Sequence, residues 1–152
     1  MRHAHLIFLL SAGLAFQTHA GTADSRPAIA TADIAALFDR WNAALQTGKP
    51  DQVVATYAGK SVLLAAGSST PHLTPKEKIA YYTQFLERKP VVRIDSRQID
   101  IDGDSALDAG TYTVKFADGA HFGAGYSFAY QRFDGRWLIV SHRFSVLQPA
   151  VP

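Results

Sequence analysis

The chain has 152 residues, 47% hydrophobic and 18% charged, with 15 Lys+Arg against 13 Asp+Glu. That size supports one domain with an ordinary core, and a high apolar share with a net charge of +2 excludes a disordered chain. Zero cysteines exclude disulfides, thiol nucleophiles and cysteine-ligated metal centres. The basic residues are scattered rather than gathered with aromatic support, which argues against a nucleic-acid partner.

Arg2, His3 and His5 precede an apolar run from Leu6 to Phe16, and Thr18-His19-Ala20 supplies small residues at −3 and −1 of a cleavage site. This is the three-part pattern of a secretory signal peptide over 1–20, too short an apolar run to span a bilayer. The expected mature protein is exported, periplasmic or secreted, with no membrane attachment after cleavage. Residues 21–30 read as a flexible leader and 149–152 as a tail, around a single domain at 31–148.

Ile34, Leu37, Phe38, Trp41 and Leu45 recur at helical spacing, with Thr31 as the expected N-cap and Gly48 as the stop. Pro50 opens a short helix to Tyr57, and the Val62–Ala66 run reads as a strand. Thr74-Pro75-Lys76-Glu77 carries the hydroxyl, proline and glutamate of a capping box, starting a third helix with Ile79, Tyr82, Phe85 and Leu86 on its apolar face. After Pro90 the period changes to two. Asp-Gly pairs at 102–103, 118–119 and 134–135 predict three hairpins joining strands over 91–101, 104–117, 120–133 and 136–147. Helices followed by a meander of long strands predict an α+β fold, with helices packed into a strongly curved antiparallel sheet.

With a two-residue turn at each Asp-Gly, register follows by counting. Arg97 then faces Asp108, Tyr112 faces Gly125, and Ser127 faces His142. One face collects Arg97, Asp108, Tyr112, Ser127 and His142 among apolar residues that include Leu138 and Val140, with room beside Gly110 and Gly125 for a small organic ligand. The opposite face collects Tyr126, Phe128, Tyr130, Trp137 and Ile139, an aromatic patch larger than three helices can cover together with the first face. That patch predicts a homo-oligomer, dimer or higher, built sheet against sheet.

Arg97 and Asp108 are either a ligand clamp or a structural ion pair. His142 is either a satisfied core residue or a ligand contact, and Asp108 with His142 could form a general acid–base pair. His72, His121 and His142 share no metal-ligand spacing, so no metal and no cofactor are expected. No nucleophile elbow or phosphate loop is present.

Several stretches together resemble the calcium/calmodulin-dependent protein kinase II association domain branch of the nuclear transport factor 2-like (SnoaL-like) superfamily. They are LFDRWNAALQTGKPDQVVATYA (37–58), SVLLA (61–65), IAYYTQFLERKP (79–90), R-x-I (97–99), A-x-D-x-G-x-Y-T-V (106–114), GYSFAY (125–130) and GRWLIVSH (135–142). The resemblance implies a cone of three N-terminal helices against a curved sheet, a pocket inside it, and oligomers formed through the outer sheet face. Arg97, Asp108, Tyr112 and His142 are the positions it carries over. Gly125 stands where bacterial relatives usually have Arg, and His142-Arg143-Phe144-Ser145 where they usually have His-His-Ser-Ser. The chain lacks a kinase's Gly-rich nucleotide loop and His-Arg-Asp loop. The expected function is an exported association domain with a small-ligand pocket. The alternative is a cofactor-independent isomerase, dehydratase or hydrolase using Asp108 or His142.

Overall fold

The structure, a computed structural model, describes residues 29–147; the expected signal peptide, most of the leader and the tail lie outside the described residues. Three helices, α1 (Thr31–Gln46), α2 (Pro50–Val54) and α3 (Pro75–Glu87), precede four strands of a meander and interleave with one further strand. The strands are β1 (Tyr57–Leu64), β2 (Val91–Asp102), β3 (Ser105–Lys115), β4 (His121–Phe133) and β5 (Arg136–Val146). They form one sheet in the order β1-β5-β4-β3-β2, antiparallel throughout except where β1 runs parallel to β5. The expected α+β class and helix-on-sheet layering are what the chain adopts, with the strand read at 62–66 lying earlier.

Local chemistry sets each boundary. α1 starts one residue before the expected place, with Ala30 as N-cap and its N–H donating to Asp33 Oδ2 at 3.0 Å. α3 has the expected cap: Thr74 Oγ1 accepts from Glu77 N, while Glu77 Oε2 accepts from Thr74 N at 2.8 Å. Asn42 ties α1 to the edge strand, its amide donating to the Val92 carbonyl at 2.8 Å and accepting from the Val92 N–H at 3.2 Å. It satisfies both backbone groups that a further strand would have paired.

The register differs from the count in four places, each with a visible cause. At the first hairpin the turn is centred on Gly103-Asp104, so Asp102 pairs with Ser105 and Ile99, not Arg97, lies opposite Asp108. That slides the pairing by two and leaves the faces unchanged. At the second hairpin the loop has three residues: Gly119 N–H donates to Phe116 O, Phe116 N–H donates to Ala120 O, and Gly119 sits at φ +86°. This is a type I turn followed by a left-handed glycine, and one extra loop residue turns every β4 side chain to the other face. The third hairpin is the two-residue turn expected, with Asp134 and Gly135 both at positive φ. A bulge between Ile139 and Ser141 then re-phases the rest of β5.

The correction to the predicted faces follows directly. Tyr126, Phe128, Tyr130 and Ile139, expected on an outer interface, are 5%, 0%, 2% and 1% exposed and face the helices. Trp137 is half-buried against the same core. Ser127, expected in the pocket, lies on the outer face opposite Arg143, and Leu138 pairs with Gln131 there. His142 and Phe144 remain inside because the β5 bulge compensates for the β4 inversion.

A second bulge, between Ile94 and Ser96 on β2, presses the Ser96 carbonyl against Gly110. A Cβ at Gly110 would stand 2.1 Å from that oxygen and 2.7 Å from its carbon, both backbone atoms. Gly110→Ala is therefore expected to cost about 2 kcal/mol or more, read as a lower urea midpoint at unchanged slope. Gly59→Ala, whose Cβ meets nothing within 4 Å, should stay within about 0.5 kcal/mol of the unaltered protein.

Candidate functional site

Two polar networks lie within the aromatic core. The first centres on Asp108, in the interior strand β3 between β2 and β4, and 0% exposed. Tyr126 Oη donates to its Oδ1 at 2.8 Å, and Arg97 Nε donates to the same oxygen at 3.1 Å. Arg97 Nη2 lies 3.1 Å from Oδ2, completing the ion pair. Arg97 stands opposite Gly110, so its side chain reaches Asp108 along the diagonal over a residue with no side chain. Its guanidinium also covers the Phe38 ring at 5.2 Å. Burial pushes the Asp108 carboxyl upward, against the downward pull of the Tyr126 hydrogen bond and the Arg97 charge.

The second network runs through α1, α3 and the sheet. Trp41 Nε1 donates to Tyr82 Oη at 3.1 Å, Tyr82 and Tyr57 share a hydrogen bond at 2.6 Å, and Tyr57 Oη meets His142 Nδ1 at 2.8 Å. Tyr82 Oη accepts the indole N–H, and the chain continues through the Tyr57 hydroxyl to His142 Nδ1. The imidazole stacks on Phe128 at 3.9 Å and meets the edge of Trp41 at 5.2 Å. Burial lowers its pKa to about 3, so it is neutral at physiological pH.

The sequence-derived candidates are thus brought together in part. Arg97 and Asp108 pair as expected, and Tyr112 stacks on Tyr126 at 4.9 Å, 1% exposed. Asp108 and His142 do not form a pair. Both lie opposite Phe128, on either side of it, two strand spacings apart, or about 10 Å. The cavity beside His142, lined among others by Trp41, Tyr82, Phe85, Tyr112 and Phe144, measures about 10 Å³, enough for one water and far below a substrate pocket.

Lys78 escaped the sequence reading. It is 1% exposed, its Nζ donating to the carbonyls of Ser61 at 2.8 Å and Leu73 at 2.9 Å. Its place four residues before Tyr82 on the buried face of α3 was the available signal. It fastens the loop before α3 to β1. Among the described residues no group of three His, Cys, Asp or Glu could hold a metal ion, and no helix is long and apolar enough to cross a membrane.

An aromatic core under three helices, on a five-stranded sheet with β1 parallel at its edge, defines a nuclear transport factor 2-like α+β cone. The family model for the calcium/calmodulin dependent protein kinase II association domain matches residues 30–147, and the chain belongs to that family. A Xanthomonas campestris protein provisionally named as such an association domain is 40% identical, covers 82% of this chain and 93% of its own, and superposes with a TM-score of 0.74. A nuclear transport factor 2-like protein of unknown function from Pseudomonas putida is 18% identical over 78% of this chain and 87% of its own, with a TM-score of 0.69. A provisionally named dehydratase of the same fold from Streptomyces avermitilis is 13% identical over 76% of this chain and 94% of its own, at 0.68. At those lower identities the likeness is one of fold alone. No match exists among curated proteins.

Neutral His142 has a measurable consequence. Its pKa is about 3 in the native protein against about 6.5 unfolded. Between those values the unfolded chain holds one more proton, so stability falls as pH falls, by about 1.4 kcal/mol per pH unit from this group. Urea melts from pH 6.5 to 4.5 should show that loss, and His142→Gln should flatten the slope by the same amount.

Proposed function

We propose that the protein is an exported self-association domain that assembles through the outer face of its sheet and has no kinase activity of its own. The carrying observation is the make-up of that face. Its middle is a carpet of short side chains, Ala109, Thr111, Gly123, Gly125, Ser127, Ala129 and Ser141, none of them fully exposed. Charges stand toward its margins at Arg93, Asp95 and Asp100 on β2 and Lys60 on β1, while Arg143 on β5 lies exposed beside Ser127. Leu107 and Val62 add apolar surface at 44% and 38% exposure.

A sheet face that meets water ordinarily carries long polar side chains. A centre poor in charge inside a polar rim is the anatomy of an interface. Five strands with 11 residues in β3 span on the order of 850 Å², close to the ~800 Å² per partner of a stable interface. Membership of an association-domain family supports the same reading. Export rests on the N-terminal pattern of basic, apolar and small residues.

The enzyme alternative draws less support. Asp108 is engaged by Arg97 and Tyr126, Phe128 separates it from His142, and the interior has room for about one water.

Light scattering after size exclusion at micromolar concentration should give a dimer or a larger assembly. Ser127→Arg, at the centre of the face, should weaken association by about 100-fold or more without lowering the unfolding midpoint. A monomeric unaltered protein would overturn the proposal.

A further inference from the structure

The outer face of the sheet carries its charges unevenly. β1 and β5, which make up one half, contain Lys60, Arg136 and Arg143 and no acidic residue. β2, at the opposite edge, presents Asp95, Asp100 and Asp102, and its Arg93 is already held by Asp95 at 2.6 Å. On the basis of the self-association proposed above, we infer that two copies pack with strands aligned about a two-fold axis along β4, so that Lys60 of each copy meets Asp100 of the other.

The register places these residues at matching levels. Val62 is level with Asp100, through Ser141, Ala129 and Leu107. Tyr57 is level with Ile101, through Ile139, Tyr130 and Ala106. Lys60 lies between Tyr57 and Val62, so it stands within about one residue of the level of Asp100. Within one chain the two cannot meet, because four strand spacings, about 19 Å, separate β1 from β2. A two-fold axis parallel to the strands reverses the strand order and keeps each residue at its own level. It lays β1 of one copy over β2 of the other, and Lys60 over the partner's Asp100. Arg143 then comes over the partner's β3, one strand from the same carboxylate. Gly125, Ser127 and Ala129 meet their own copies at the axis, where short side chains let the sheets approach.

The other way of stacking the faces, about an axis across the strands, sets each strand on its own copy. The wholly basic half would then lie on the basic half, and Asp100 and Asp102 on β2 of the partner. Like charges brought together in this way oppose association. Among the described residues Lys60, Arg143, Asp100 and Asp102 take part in no ion pair, so all four are free to pair between copies. Twisted sheets that pack aligned keep their strands within about 30° of each other. At that angle long Lys and Arg side chains still reach across the margins.

Sedimentation equilibrium over a dilution series tests this on the unaltered protein, Lys60→Glu, Asp100→Lys, and an equal mixture of the two variants. Both positions are exposed, so each variant should keep its unfolding midpoint. Either variant alone replaces two symmetric attractions with two repulsions, and should associate at least about tenfold more weakly at low salt. In a mixed pair, opposite charges face each other again at both contacts. The mixture should therefore recover to within about threefold of the unaltered affinity. Single variants that associate as tightly as the unaltered protein, or a mixture no tighter than either alone, would overturn this arrangement and leave self-association standing. An unaltered protein that stays monomeric overturns both.

Discussion

A carboxylate with no exposure in an interior strand of a sheet must be neutralised where it stands, and Asp108 is that group. The rest of the fold is arranged around meeting this demand. Arg97 must come from β2 on one side and Tyr126 from β4 on the other, so the three strands have one workable register. Gly110 leaves the diagonal open for Arg97 and admits the Ser96 carbonyl of the β2 bulge. Setting Tyr126 inward places Phe128 and Tyr130 inward with it. The ring layer that results packs on Phe38 and Trp41 of α1, with Phe38 meeting Phe128 edge-on at 5.9 Å and Trp41 at 5.1 Å.

Much of this was legible in the chain. The capping box at Thr74–Glu77, the apolar stripe from Ile34 to Leu45 and the three Asp-Gly turns located the elements, because each is decided by chemistry within a few residues. The Arg97–Asp108 contact was legible too, since a slide of two residues still leaves a long side chain on the correct face. The face of β4 was not. Asp118-Gly119 and Asp134-Gly135 look alike, yet one closes a three-residue loop and the other a two-residue turn. That difference is set by how β3 and β4 pack across the whole sheet. The bulge at Val140 is likewise a response to curvature, with no residue signal of its own. A continuous run of large apolar residues in β4 was the available hint: Tyr126, Phe128 and Tyr130 are costly to leave on any surface.

The corrected faces shift where function is sought. Aromatic rings expected to meet a second copy fill the interior instead, and the small-residue face is what the helices leave uncovered. The interior polar groups are committed to one another: Asp108 to Arg97 and Tyr126, and His142 to the Tyr57–Tyr82–Trp41 chain. Beyond the Arg97 Nη2–Asp108 Oδ2 ion pair, His142 Nε2, Tyr130 Oη and Trp137 Nε1 are buried without a hydrogen-bond partner.

The central claim is that Arg97 and Asp108 form a structural pair that sets the sheet, and a double-mutant cycle on stability tests it most directly. Arg97→Met leaves a buried carboxylate unpaired and should cost about 3 kcal/mol or more. Asp108→Leu should cost less, because the Arg97 side chain, 22% exposed, can reach water. The double variant should recover most of the loss and keep the assembly state of the unaltered protein. A harmless Arg97→Met, or a double variant as unstable as the two losses added, would contradict the account and return the pair to the role of a ligand clamp.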